Sequence, residues 1–370
     1  MIIGLFPELL APGGVQRAGQ HLAAVLAAYA EERKTSCRFL SLNDPPGTHQ
    51  ARVGGYCFSF EGYQRAKLRF SLAALRLLFS RPRLVVAGHP NLAPVARAMQ
   101  LLAPGLRTAV FTHGIEVWTP LSALRRRALC RATVVTAPSR DTARKLALVQ
   151  GVPDSKIRLL PWALDPDFTA ALQAPEVNHL PAGFPEGRVV LTVGRWAASE
   201  RYKGLDTLIR AVPRLLPAIP DLRLVAVGEG DDRPRLEKLA QEEGVAERVH
   251  FLAGLASEEL AACYARCDLF ALPSAGEGFG LVFLEAMAAS KPVVGGAHGG
   301  TPEVIEEGVT GSLVPHGDVE RLASAVRTLL ANEDLRRRMG ERARARVQSS
   351  FLFEHFHSRL IGILRDVCSR

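Results

Sequence analysis

Short runs of β-branched and aliphatic residues alternate with amphipathic stretches along almost the whole chain, and this alternation admits few architectures. A strand followed by a helix before the next strand can pair gives βαβ units, and these build parallel sheets covered by helices. The pattern occurs twice. Strands are expected at 2–6, 38–42, 84–88, 108–112, 133–137 and 157–160, and again at 189–194, 222–228, 250–252, 269–273, 292–295 and 312–314. With 370 residues the chain also exceeds the roughly 250–300 at which one hydrophobic core stops growing. The expected fold is α/β, with two facing Rossmann-like domains of parallel strands and a cleft between them.

The domains are placed at 1–165 and 188–350, with a linker at 166–187. Pro161, Pro166, Pro175, Pro181 and Pro185 crowd the junction, a density that breaks both helix and strand. Beyond residue 350, Phe353, Phe356, Leu360, Leu364 and Val367 recur at helical spacing. A C-terminal helix at about 351–370 is expected to pack on one domain or across both.

Composition excludes several classes. No uncharged apolar run reaches the ~18 residues of a membrane span. The opening Met1-Ile-Ile-Gly-Leu-Phe-Pro7 lacks the basic stretch and cleavage site of a signal peptide, so residence in the cytoplasm is expected. The six cysteines lack the paired spacing of zinc ligands and read as free thiols. Net charge is +9 and unevenly spread: through residue 185 there are 22 Lys+Arg against 11 Asp+Glu, while the remainder is slightly acidic. The N-terminal half is expected either to face an anionic partner or to carry a solvated basic surface. Nucleic acid is a poor candidate, because the five tyrosines and three tryptophans do not punctuate the basic runs as base-stacking platforms would.

In open parallel sheets ligands bind beyond the carboxyl ends of the strands, where turns and helix N-termini offer backbone donors. The richest such turn runs from Leu272 through Pro-Ser-Ala-Gly-Glu-Gly-Phe-Gly into an alanine-rich helix. Gly276, Gly278 and Gly280 let the backbone approach a ligand, and the helix start favours an anion such as a diphosphate. Glu277 and Glu285, eight residues apart and about two helical turns by spacing, suit the neutral hydroxyls of a sugar or ribose better than a phosphate. Glu285 stands among Val282, Phe283, Leu284, Ala286 and Met287, a setting in which a carboxylate requires a partner. Arg195, leaving the first strand of the second half, and Lys203, opening the next helix, form a pair able to clamp two phosphates in place of a divalent metal. In the first half, Gly13 and Gly14 allow close backbone contact, and His113 and Glu116 follow a strand. Gly228 and Gly230 lack the register of a dinucleotide fingerprint.

These residues resemble the retaining glycosyltransferases of family 4, which have the GT-B fold and include many bacterial mannosyl- and glucosyltransferases. The resemblance covers nearly the whole chain and is most specific in the E-x7-E motif, Glu277 to Glu285. Gly194-Arg195, Tyr202-Lys203-Gly204 and Gly299-Gly300-Thr301-Pro302-Glu303 support it. It implies that Glu277 binds hydroxyls of the transferred sugar and Glu285 the ribose. It further implies that Arg195 and Lys203 hold the diphosphate, helped by backbone groups of Gly14, Gly278, Phe279, Gly280 and Leu281. His113 would stand near the donor sugar, and Leu255 would meet the base through its backbone. The implied reaction is hexose transfer from a GDP-mannose or UDP-hexose type donor to a glycan or lipid-linked acceptor, in cell-surface polysaccharide or glycolipid synthesis. No cofactor, obligatory metal or protein nucleophile is implied. A sugar-nucleotide epimerase and a non-enzymatic sugar-nucleotide sensor are the competing readings. The junction departs from the family's usual Pro-Asn-Gly-Val-Asp, reading Pro161-Trp-Ala-Leu-Asp165.

Residues 64–83 are basic and greasy. Leu68, Leu72, Leu75 and Phe79 share a helical stripe flanked by Arg65, Arg69 and Arg76, with Arg83 closing the segment. Arg125, Arg126, Arg127 and Arg131 make a second cationic run. Two readings stand: attachment to an anionic inner-membrane surface, or a core helix with a basic solvent edge.

Overall fold

The structure is a computed structural model and describes residues 1–174 and 179–369; Pro175 of the expected linker lies outside the described residues. The chain divides into two compact units, Met1–Pro166 with Phe353–Arg370, and Asp167–Leu352.

The first unit contains β1 (Ile2–Phe6), β2 (Cys37–Ser41), β3 (Gly47–Val53), β4 (Tyr56–Gly62), β5 (Leu84–Ala87), β6 (Arg107–Phe111), β7 (Val134–Ala137) and β8 (Ile157–Leu159). They form one sheet in the order β3-β4-β2-β1-β5-β6-β7-β8, and every neighbouring pair is parallel except β3 with β4. Helices cover the strands: Gly14–Glu32 buries Leu22, Val25, Leu26 and Tyr29, and the helix Phe353–Ser369 packs beside it with Phe356, Leu360 and Leu364 inward. His21 of the first helix meets the Phe353 ring edge-on at 5.3 Å.

The second unit contains β9 (Arg188–Val193), β10 (Leu222–Val227), β11 (Val249–Leu252), β12 (Leu269–Leu272), β13 (Val293–Gly296) and β14 (Gly311–Val314). Their order is β11-β10-β9-β12-β13-β14, all parallel, which is the doubly wound order of a dinucleotide-binding sheet. Both sheets are thus of the Rossmann-like, GT-B kind.

The strands fall where the alternation places them, to within one residue at each end, except for β3 and β4, which the βαβ alternation does not reveal. Their signal is period-two: Val53, Phe58 and Phe60 are buried while Arg52, Cys57, Ser59 and Glu61 are exposed, on either side of the two-residue turn Gly54-Gly55. His49, Gln50 and Arg52 dilute that alternation with polar residues. The junction also differs from expectation. Pro166 begins a helix, Pro166–Gln173, because a proline at the first helical position gives up an N–H that has no partner there. Among the described residues no helix is long and apolar enough to cross a membrane.

Candidate functional site

In the second unit, β9 and β12 lie side by side where the winding of the sheet reverses. Strands at such a point send their helices to opposite faces and leave a crevice at their carboxyl ends. The two turns singled out in the sequence leave these two strands.

After β9 the chain runs through Arg195 into a 3-10 turn, Ala198–Lys203, and then the helix Leu205–Leu215. Lys203 therefore closes the turn ahead of the helix instead of opening the helix itself. After β12 the chain runs through Ser274 and Glu277 to the helix Leu281–Ala288. The two turns are joined by a hydrogen bond from the Ala275 N–H to the Tyr202 carbonyl, at 2.7 Å. A third turn pins the second, since the Gly300 N–H donates to the Glu277 carbonyl at 2.7 Å. Gly280 starts the helix at φ +93, and a Cβ there would stand 2.6 Å from the Phe283 ring, so glycine is required. Phe279 is buried against the Phe351 ring, 5.6 Å between centroids, which leaves its backbone and those of Gly278, Gly280 and Leu281 to line the helix start.

Arg195, Lys203 and Glu277 come together here. Lys203 Nζ lies 3.0 Å from Glu200 Oε2, and Arg195 donates to Glu200 Oε1. Burial pushes the Lys203 ammonium below its ordinary pKa, Glu277 opposes that, and Arg195 adds to it. Burial raises the Glu277 carboxyl, while Lys203 and a hydrogen bond with Ser274 pull it down. Glu277 Oε1 is buried with no hydrogen-bond partner. A carboxylate oxygen so placed calls for a donor, and a ligand hydroxyl supplies one without adding charge.

Glu285 lies just over one turn into its helix, not two, because residues 277–280 are turn. The partner its apolar setting demanded is Tyr264, whose hydroxyl donates to Oε2 at 2.7 Å. Burial and then Glu285 push the Tyr264 phenol well above its ordinary pKa, so it remains a donor. Leu255 sits half-buried in the turn between β11 and the helix Ser257–Arg266.

The remaining candidates belong to the first unit. Gly13, at φ +142, precedes the helix that Gly14 begins. His113 follows β6; its N–H donates to Glu116 Oε1 at 2.6 Å, and its Nε2 lies 2.8 Å from the Gly88 carbonyl. A carbonyl only accepts, so Nε2 carries the proton, and Nδ1 is buried without a partner. The imidazole stacks between His89 and Trp162. Burial, then His113 and Arg125, push His89 down to about 3.

Three contributors are not evident from the sequence: Glu200, Tyr264 and the stacking of Trp162 on His113. Glu200 has a local signal, a lone carboxylate between Arg195 and Lys203. Tyr264 has none, since it stands 21 residues before Glu285 on another helix. Trp162 shows in the sequence only as a departure from the family's junction.

Residues 12–168 match the model described as Glycosyltransferase Family 4, and residues 181–346 that described as Glycosyl transferases group 1. The chain is 38% identical over 253 residues to a GDP-mannose-dependent alpha-(1-6)-phosphatidylinositol monomannoside mannosyltransferase of Mycolicibacterium smegmatis, covering 65% of this chain and 64% of that one. It is 36% identical over 290 residues to the protein of the same description in Mycobacterium tuberculosis, covering 74% and 72%. Its fold is similar to that of sucrose-phosphate synthase from Thermosynechococcus elongatus, with a TM-score of 0.77, 23% identity and coverage of 100% and 99%.

Proposed function

The chain belongs to glycosyltransferase family 4, and from that premise we propose that it transfers a hexose from a nucleoside-diphosphate sugar with retention of anomeric configuration. GDP-mannose is the first donor to test, because both mycobacterial relatives are GDP-mannose-dependent. The observation that carries the reading is the meeting of Arg195, Lys203 and Glu277 on two hydrogen-bonded turns at the reversal point of the second sheet.

In this reading Arg195, Lys203 and the N-terminus of the helix Leu281–Ala288 hold the diphosphate. The orphaned Oε1 of Glu277 accepts a hydroxyl of the sugar, and Glu285, oriented by Tyr264, accepts from the ribose. The bond from the anomeric carbon to the phosphate oxygen breaks as the acceptor oxygen bonds to the same face. The acceptor proton passes to the leaving diphosphate. The two cations meet the charge that grows on that diphosphate, which makes them the largest source of rate acceleration, and no divalent metal is required. In the first unit, the partnerless Nδ1 of His113 is assigned to accept from a substrate hydroxyl.

The acceptor is assigned to the first unit and is proposed to be a glycan or a lipid-linked sugar. In that unit the helix Lys67–Arg76 turns Phe70 and Ala74 to the core. Leu68 and Phe79 are 74% and 90% exposed, and Leu72, Arg65, Arg69 and Arg76 are exposed with them. The expected four-residue stripe is not one helical face: Leu75 is half-buried against the core, and Phe79 lies beyond the helix in the 3-10 turn Leu77–Ser80. Exposed leucine and phenylalanine among arginines suit a lipid surface, with the apolar tips in the headgroup layer and the guanidinium groups on phosphates. Flotation with anionic against neutral vesicles tests this; failure to float with either removes the membrane claim.

The transferase reading is tested by following nucleoside diphosphate released from GDP-mannose and from UDP-glucose, with and without phosphatidylinositol mannoside. Slow release with water and faster release with acceptor, giving an α-linked product by NMR, is expected. An isomerised sugar without transfer, or binding without turnover of either donor, overturns it.

A further inference from the structure

Glu200 sits between the two cations assigned to the donor diphosphate and pairs with both. Its side chain is 10% exposed, beside Lys203 at 15%, whereas Arg195 is 73% exposed. The backbone at Glu200 leaves the helical region, φ −118 and ψ 25, a break inside the 3-10 turn Ala198–Lys203. Arg201, the next residue, is directed elsewhere and pairs with Asp232 at 2.8 Å. The carboxylate therefore serves Arg195 and Lys203 alone among the cations of this turn.

Two like charges held this close repel, and a half-buried ammonium without a counter-ion is costly. Glu200 answers both problems while the site is empty. A diphosphate brought onto the same two cations reverses its effect, because Glu200, together with Glu277 beside Lys203, then shares the two positive charges with both phosphate groups. Building on the donor-site reading above, we infer that Glu200 is a positioning residue and an exchangeable counter-ion. It holds Arg195 and Lys203 in place before the donor arrives, gives them up to the diphosphate, and reclaims them when the nucleoside diphosphate product leaves. Its charge weakens binding of donor and product alike, and so shortens product residence, a step that limits many turnover rates.

Removing the Glu200 charge should strengthen binding, a direction that a purely structural role does not share. Glu200→Gln keeps the shape and removes the competing charge. It is expected to tighten binding of GDP, UDP and inorganic pyrophosphate by about three- to tenfold, the size of one partly screened charge interaction. In turnover it lowers donor KM and the product inhibition constant while kcat falls, because release slows. Glu200→Asp keeps the charge at shorter reach and lies between wild type and Glu200→Gln. Calorimetry of the full chain with each of the three probes reads this directly, and thermal melts of the variants show that they are folded.

Weaker or unchanged binding in a folded Glu200→Gln overturns the inference, as does Glu200→Asp binding more tightly than Glu200→Gln. Lys203→Ala separates this from the donor-site reading. If it weakens pyrophosphate binding while Glu200→Gln fails to strengthen it, only the counter-ion exchange is wrong. If Lys203→Ala leaves binding of all three probes unchanged, the donor site itself is misplaced and the inference falls with it.

Discussion

Trp162 lies flat against His113, with ring centroids 5.2 Å apart and planes 11° apart. The indole also stacks on Phe356 of the C-terminal helix at 5.5 Å, and the imidazole on His89 at 5.6 Å. Four rings from four separate stretches of chain thus form one series, and the tryptophan stands where the family's usual junction has asparagine. Trp162 is 4% exposed, so Trp162→Ala opens a cavity and is expected to cost about 3–5 kcal/mol in urea unfolding. Trp162→Phe, which keeps a stacking face, is expected to lose less than half of that. Equal losses would mean that the aromatic face kept by Trp162→Phe contributes nothing to the series.

Lys203→Ala and Arg195→Ala each remove one of the charges assigned to the leaving diphosphate. A fall in kcat of about a hundredfold or more is expected for each, by analogy with other charge-stabilising donors. Steady-state kinetics with GDP-mannose checks this, and a change confined to KM would assign the two cations to binding alone.

Tyr264→Phe removes the hydroxyl that holds Glu285 Oε2. The tyrosine is fully buried, so the hydrogen bond has no water to replace it. A loss of about 1–3 kcal/mol in stability is expected, with a rise in donor KM that exceeds any fall in kcat. Unchanged donor KM would detach Glu285 from nucleoside recognition.

His89 gives the acid limb of the stability profile a particular shape. Its pKa falls from 6.5 to about 3 on folding, so between those values the unfolded chain binds more protons than the folded one. The neutral ring therefore leaves folding unpenalised above about pH 6.5, and stability is lost as pH falls toward 3, at up to about 1.4 kcal/mol per pH unit. His89→Asn is expected to flatten the profile over that window in chemical unfolding at stepped pH. Parallel profiles for variant and wild type would show that His89 titrates normally.

The βαβ alternation is legible along the chain because each strand and each helix face is encoded in neighbouring residues. So is the Glu277 to Glu285 turn, whose glycines and carboxylates lie within one short segment. Local sequence does not reveal that β9 and β12 are neighbours, which depends on the winding order of the sheet. That order joins Tyr202 to Ala275 and brings Lys203 beside Glu277, residues more than seventy positions apart. The hairpin β3–β4 is hidden because polar residues blur its period. Glu200 is local to Arg195 and Lys203 and needed only the shape of its turn to pair with both, whereas Tyr264 and Trp162 are hidden because their partners are set by packing between segments, and burial and stacking become interactions only when the folded chain brings those segments together.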